Sequence, residues 1–158
     1  MEQNPNRLTV WSISEIVTFT VFGEPIPQGS KTAGVTKTGR PFMREARAGA
    51  LHAWRAAIAD AAGKAMEGRP VLDVAVGVAV DVFRQRPRAH YRVDGERLNA
   101  LGRRHPRPDS KPDLPKLVRA VHDAMSGIVY TDDSRICRSR EDKQWGTPER
   151  IEVIVWLL

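Results

Sequence analysis

At 158 residues, with 41% hydrophobic and 28% charged side chains, the chain has the size and composition of one globular domain with a substantial core. Its formal charge of +6 and pI near 10.0 suit a polyanionic partner. No run approaches the roughly 18–20 apolar residues that cross a bilayer, residues 1–7 lack the layout of a secretion signal, and a lone cysteine, Cys137, excludes an internal disulfide and a cysteine zinc cage.

Taken in chain order, residues 1–15 read as a lead-in and 16–158 as a single domain. Residues 16–22 (IVTFTVF) are β-branched and aromatic, which predicts a strand. Glycine and proline then impose a loop that runs through Lys31, Lys37 and Arg40 to Pro41. Leu51, Trp54, Ile58, Ala61 and Ala65 recur at helical spacing, and Gly68 and Pro70 close that helix. From 71 to 83, Val74, Val76, Val78, Val80 and Val82 alternate with Asp73, Ala75, Gly77, Ala79 and Asp81. This is a strand with one valine face in the core and one small-residue face on which something can lie.

Residues 84–111 hold nine Lys or Arg against three acids, so the whole formal excess sits in this one stretch. Pro87, Pro106 and Pro108 punctuate it, and it is expected to be a long loop, either functional or simply solvated. A second amphipathic helix is predicted over 114–125 on Leu114, Leu117, Val118, Val121 and Met125, ended by Ser126-Gly127. Residues 134–144 and 150–158 read as two strands joined by a hairpin connection at 146–149. The expected fold is α+β: a mixed or antiparallel sheet with two main helices packed on one side.

Hydrolysis of a phosphodiester without a covalent intermediate needs carboxylates to hold a divalent ion. Asp113 enters the second helix and Asp132-Asp133 follows it. They lie at opposite ends of about 18 Å of helix and meet only if residues 127–131 turn the chain back. Asp113 reads equally well as an N-cap and Asp132-Asp133 as turn residues, so spacing alone leaves both readings open. His122 reads as an exposed histidine, Asp123 as structural and Trp54 as core, while His90 and Tyr91 read as either nucleotide contacts or anchors of the basic loop. The P-loop pattern is absent, so no nucleotide cofactor is expected.

The run from Lys111 to Met125 (KPDLPKLVRAVHDAM), followed by 127–134 (GIVYTDDS), resembles the core of the RusA family of Holliday junction resolvases, whose phage-type members carry K-P-D-L-D-N-L-x-K-A and G-x-x-Y-x-D-D-S. Residues 23–31 (GEPIPQGSK), 86–91 (RPRAHY) and 146–149 (GTPE) resemble further family segments, in the same order, so the likeness covers about 16–158. It implies a homodimeric enzyme, dependent on Mg²⁺ with Mn²⁺ as a substitute, that nicks branched DNA in a bacterial or phage-infected cytoplasm during recombination and repair. It also implies catalytic roles for Asp113 and Asp133, metal ligation by Asp113, Asp132 and Asp133, and a phosphate-steadying role for Arg119 in place of the family's lysine.

The family's second motif aspartate falls on Pro115 and its asparagine on Lys116. One carboxylate is thereby lost, and Asp132, Asp109 and Asp81 are the acids available to replace it. The alternative to an active nuclease is a cleavage-impaired protein that binds branched DNA; an RNA-binding role leaves the clustered acids unexplained. The expected DNA contacts are Lys31, Lys37, Arg40, Arg84, Arg86, Arg88, His90, Arg103, Arg104, Lys111 and Lys116.

Overall fold

The structure is a computed structural model that describes residues 16–29, 31–45 and 47–158; the lead-in lies outside them. Its elements are β1 (Ile16–Phe22), β2 (Lys31–Val35), β3 (Pro41–Glu45), α1 (Ala48–Met66), β4 (Val76–Arg84), α2 (Ala100–Arg104), α3 (Leu114–Met125), β5 (Ile136–Trp145) and β6 (Arg150–Leu157). A four-stranded mixed sheet runs β1-β6-β4-β5, and β2-β3 form a separate antiparallel pair. The fold is thus the expected single α+β domain. Among the described residues no helix is long and apolar enough to cross a membrane.

The valine face carries the core. Val76, Val78, Val80 and Val82 are fully buried, together with Ile151, Val153 and Val155 of β6 and Val17, Phe19 and Val21 of β1. Onto them pack Leu51, Trp54, Ile58, Ala62 and Met66 of α1 and Leu117, Val118, Val121 and Met125 of α3. Val74 is a correction: it is 50% exposed, because the strand begins only at Val76 and Leu72 makes an isolated bridge to Tyr130. The helix is also longer than its apolar spacing suggested, and Ala62 and Met66 take the core places expected of Ala61 and Ala65.

Two connections differ from expectation. Residues 31–45 form a β-hairpin rather than loop, closed by Thr36 N to Arg40 O (2.8 Å) and by Gly39 at φ 79°. β5 and β6 are not hairpin partners. β6 lies between β1 and β4, antiparallel to both, and β5 pairs parallel to β4 at the sheet edge. The physical reason is hydrophobicity: β6 buries three aliphatic residues and is placed inside, whereas β5 (ICRSREDKQW) carries the charges tolerated at an edge. Gly146 makes the crossing over β4 possible. Its amide bonds Arg84 O at 2.9 Å, and a β-carbon there would press on the Phe83 ring.

The small-residue face is filled by a neighbour in the same sheet. Trp156, paired with Gly77 across β4 and β6, lays its indole over that glycine, where a β-carbon would run into the ring. Gly77→Val is expected to cost about 1–3 kcal/mol by overpacking, and Trp156→Ala in the same chain is expected to recover part of it. Urea unfolding of the two single variants and the double variant checks this; strictly additive losses would contradict it.

Candidate nucleic-acid interface

α3 is positioned from both ends. At its head, Asp113 holds the N-cap position without making a side-chain cap bond, and Pro115 stands in the first turn. The capping reading of Asp113 therefore does not hold, and its carboxylate faces Lys116 Nζ at 3.5 Å instead. The Lys111–Pro112 peptide just before it is cis. Here the chain forms one wall of a cleft of about 320 Å³, completed by the Glu24–Gly29 loop, Arg47 and Arg84. Gln28 N donates to Lys116 O (3.0 Å), tying that loop to α3, while Gln28 Oε1 is buried on the wall with no donor.

Four cations, Arg47, Arg84, Lys111 and Lys116, line this cleft against two carboxylates, Glu24 and Asp113. Arg47 forks onto Glu24 at 3.2 and 3.4 Å and holds that carboxyl below the usual carboxylate range. Arg84 meets Glu149 at 3.1 Å. Lys143 adds a fifth charge from β5: its Nζ donates to Ser110 O and Pro112 O, each at 2.9 Å. Burial lowers its pKa from the ordinary lysine value, and Asp113 opposes that shift.

At the tail, the chain turns back at 127–130 without bringing the acids together. Gly127, at φ 78°, donates to Tyr130 O (2.7 Å), and Tyr130 OH donates to His122 O (2.9 Å). Burial pushes the Tyr130 phenol up. The turn delivers Asp132-Asp133 to the tail of α3 and not to its head. Asp132 accepts from Ser134 N (3.0 Å) and opens a 3-10 turn at Asp133–Arg135; the Ser134 hydroxyl and then its amide keep the Asp132 carboxyl below the usual range. Asp133 is exposed. Glu141, in register with Val80 and thus on the α3 side of β5, joins Asp133 and Asp123 in the electrostatic surroundings of His122.

Twelve helical residues separate these two ends by about 18 Å. Among the described residues no group of three or more His, Cys, Asp or Glu is placed to hold a metal ion. Magnesium is usually held by one or two carboxylates, with waters and substrate phosphates completing the shell. The adjacent Asp132 and Asp133 carboxylates fit that donor set. At the head of α3, Asp113 stands beside Lys116, Glu24 is held by Arg47, and the carbonyls of Ser110 and Pro112 bind an ammonium. Neither other candidate carboxylate fills the gap. Asp81 lies on the opposite sheet face, bound to Arg140 at 2.9 Å, and Asp109 binds His105 Nδ1 at 2.9 Å.

The basic stretch is folded rather than an open loop. Arg86 donates to Gly102 O (2.9 Å) and His105 O (3.0 Å) and stacks its guanidinium over Trp145. His90, expected to contact DNA, is buried between His105 and Trp145, so it anchors the loop instead. Tyr91 is half-buried beside it and bridges Leu98. Arg88, Arg103 and Arg104 are exposed on this stretch, Lys37 and Arg40 are exposed around the β2-β3 turn, and Arg119 is exposed on α3. The Lys31 side chain lies outside the described residues. Asp123 pairs with Arg55 of α1 at 3.3 Å, a structural role. His122 is not exposed as expected: it is half-buried, with Nε2 enclosed.

Arg47, Lys143 and Glu141 escaped sequence reasoning. Alternation along β5 puts Glu141 and Lys143 on one face, but whether that face meets α3 depends on β5 pairing with β4 rather than β6.

A family model described as "Endodeoxyribonuclease RusA" matches residues 23–156. The chain is also 27% identical over 143 residues to the "Uncharacterized protein YqaN" of Bacillus subtilis (strain 168), which covers 89% of this chain and 96% of that protein.

Burial keeps His122 below its ordinary value of 6.5, so between the two values the unfolded chain binds the proton that the folded chain refuses. This contribution to stability is complete above pH 6.5 and is lost as pH falls from there towards the folded-state pKa. Melting temperature is expected to drop between about pH 7.5 and pH 5.5, and His122→Gln to flatten the drop; an unaltered pH slope in the variant would contradict the assignment.

Proposed function

Because the chain belongs to the RusA family of endodeoxyribonucleases, we propose that it acts on four-way DNA as a structure-selective endonuclease, cutting paired strands as a homodimer in recombination and repair. The observation that carries the reading is the cation-lined cleft at the head of α3, with Lys111, Lys116 and Arg84 around Asp113. Clustered guanidinium and ammonium groups bind phosphates irrespective of base sequence, as a junction-directed enzyme needs. Lys37, Arg40, Arg88, Arg103 and Arg104, with Lys31, extend the contact, and two-fold symmetry supplies one centre per cut strand.

Asp132 and Asp133 would hold Mg²⁺, or Mn²⁺ in its place, and the bound ion would activate water and neutralise charge on the scissile phosphate. Asp133 carries the open carboxylate, Asp132 has one oxygen committed to Ser134, and Arg119 offers an exposed guanidinium to a phosphate. Asp113 balances the ammonium of Lys116 where the strand enters. A bacterial or phage-infected cytoplasm is the compartment proposed for this work.

A second reading has its own observation. Pro115 contributes no carboxylate, and Asp113 is paired with Lys116, which favours a protein that holds branched DNA but cuts it poorly. A labelled synthetic four-way junction with Mg²⁺ separates the two. The endonuclease reading expects nicking by the wild type, a loss of about a hundredfold or more in Asp133→Asn, and unchanged junction binding by that variant. Undiminished nicking by Asp133→Asn would contradict it. A wild type that binds without nicking, beside a Pro115→Asp variant that nicks, would establish the second reading.

A further inference from the structure

The cleft between the Glu24–Gly29 loop and the turn at 110–116 is lined by Arg47, Arg84, Lys111 and Lys116 against Glu24 and Asp113. At that turn the Asp113 carboxylate faces the Lys116 ammonium at 3.5 Å. Lys143 Nζ takes both carbonyls, Ser110 O and Pro112 O, at 2.9 Å each, so the turn is already closed by a cation of the protein's own. Lys111, between those two carbonyls in the chain, makes no hydrogen bond or ion pair with the described residues and lines the cleft.

Across the cleft stands Arg47, whose backbone adopts a left-handed conformation (φ 58°, ψ 33°). A non-glycine residue there costs roughly 1 kcal/mol or more. Arg47 makes no cap for α1 in return; its guanidinium goes to Glu24. Both partners of that pair are about half exposed (53% and 46%), so the pairing holds the guanidinium only weakly and a phosphate can replace the carboxylate in its fork.

We propose that this cleft is a phosphate subsite for one strand of the DNA, with Lys111 and Arg47 as its direct ligands and Lys143 as the residue that positions it. The subsite rests on the reading of the chain as a four-way DNA enzyme. On binding, the Arg47 fork passes from Glu24 to a phosphodiester oxygen pair, Lys111 closes on the same phosphate, and Lys143 keeps the turn that presents Lys111 and Lys116.

Fluorescence anisotropy of a labelled four-way junction tests this with the full chain and with Lys111→Ala, Arg47→Ala, Lys143→Met and Lys143→Arg. Each is titrated at several salt concentrations in EDTA and again with Mg²⁺ at matched ionic strength. Lys111→Ala and Arg47→Ala are each expected to weaken binding about tenfold. Each is also expected to lower the slope of log affinity against log salt by about one. Lys143→Met is expected to lose a comparable factor and Lys143→Arg to recover most of it, with EDTA changing wild-type affinity by less than about threefold. Slopes unchanged in both Lys111→Ala and Arg47→Ala would overturn the proposal. Circular dichroism and thermal melting of each variant check that a loss of binding is not a loss of fold. If the slopes fall as expected but linear duplex is bound as tightly as the junction, the subsite stands and the four-way reading fails.

Discussion

A strand parallel to its neighbour can be reached only by a crossover, and here α3 is that crossover between β4 and β5. β5 must therefore run back along α3 in the opposite direction. Everything about the candidate site depends on this return. It sets the start of β5, with Asp132-Asp133 just before it, at the tail of α3, and brings Lys143 to the head. Cations gather at one end of the helix and carboxylates at the other, and the helix's own length keeps them apart.

That distribution runs against what helix stability alone favours. A helix carries positive partial charge at its head and negative at its tail, and opposite charges placed there contribute about 0.3–1 kcal/mol each. α3 has no acid in its first turn, and its last turn contains His122, which burial keeps in the neutral form. Lys111, Lys116 and Lys143 add to the positive end; Asp123, Asp133 and Glu141 add to the negative end. Asp113 offsets the trend at the head, and Arg55, paired with Asp123 at 3.3 Å, offsets it at the tail. Such an arrangement, unfavourable to local stability, is what the proposed reading calls for, with an anion at the head and a cation at the tail. The same end of β5 also pins the basic stretch, through Arg107 to Asp142 (2.9 Å) and Trp145 Nε1 to His105 O (2.9 Å), so the protein's own contacts shape this surface.

Local pattern was legible where one face decides the structure. The valine alternation in β4, the periodicity of α1 and the bounds of α3 could all be read, because burial on one side of an element is written directly into residue spacing. Strand order was not legible. The turn at 146–149 looked like a hairpin connection, and only the contrast between an apolar β6 and a charged β5 argues otherwise. The fate of the acids followed from that order: residues 127–130 turn back, yet what arrives beside Asp113 is Lys143. Arg47 could not be found from sequence, since its significance lies in a backbone conformation and a long-range pair with Glu24.

The central claim is that divalent cations belong at the tail of α3 and phosphate at its head. Paramagnetic Mn²⁺ added to isotope-labelled protein tests it most directly, by the broadening of individual backbone amide signals. The account requires the amides of 131–135 to broaden first, with those of 111–117 left sharp at the same ion concentration. Broadening that begins at 111–117 would place the ion beside Asp113, among the lysines, and would contradict the division of labour along α3.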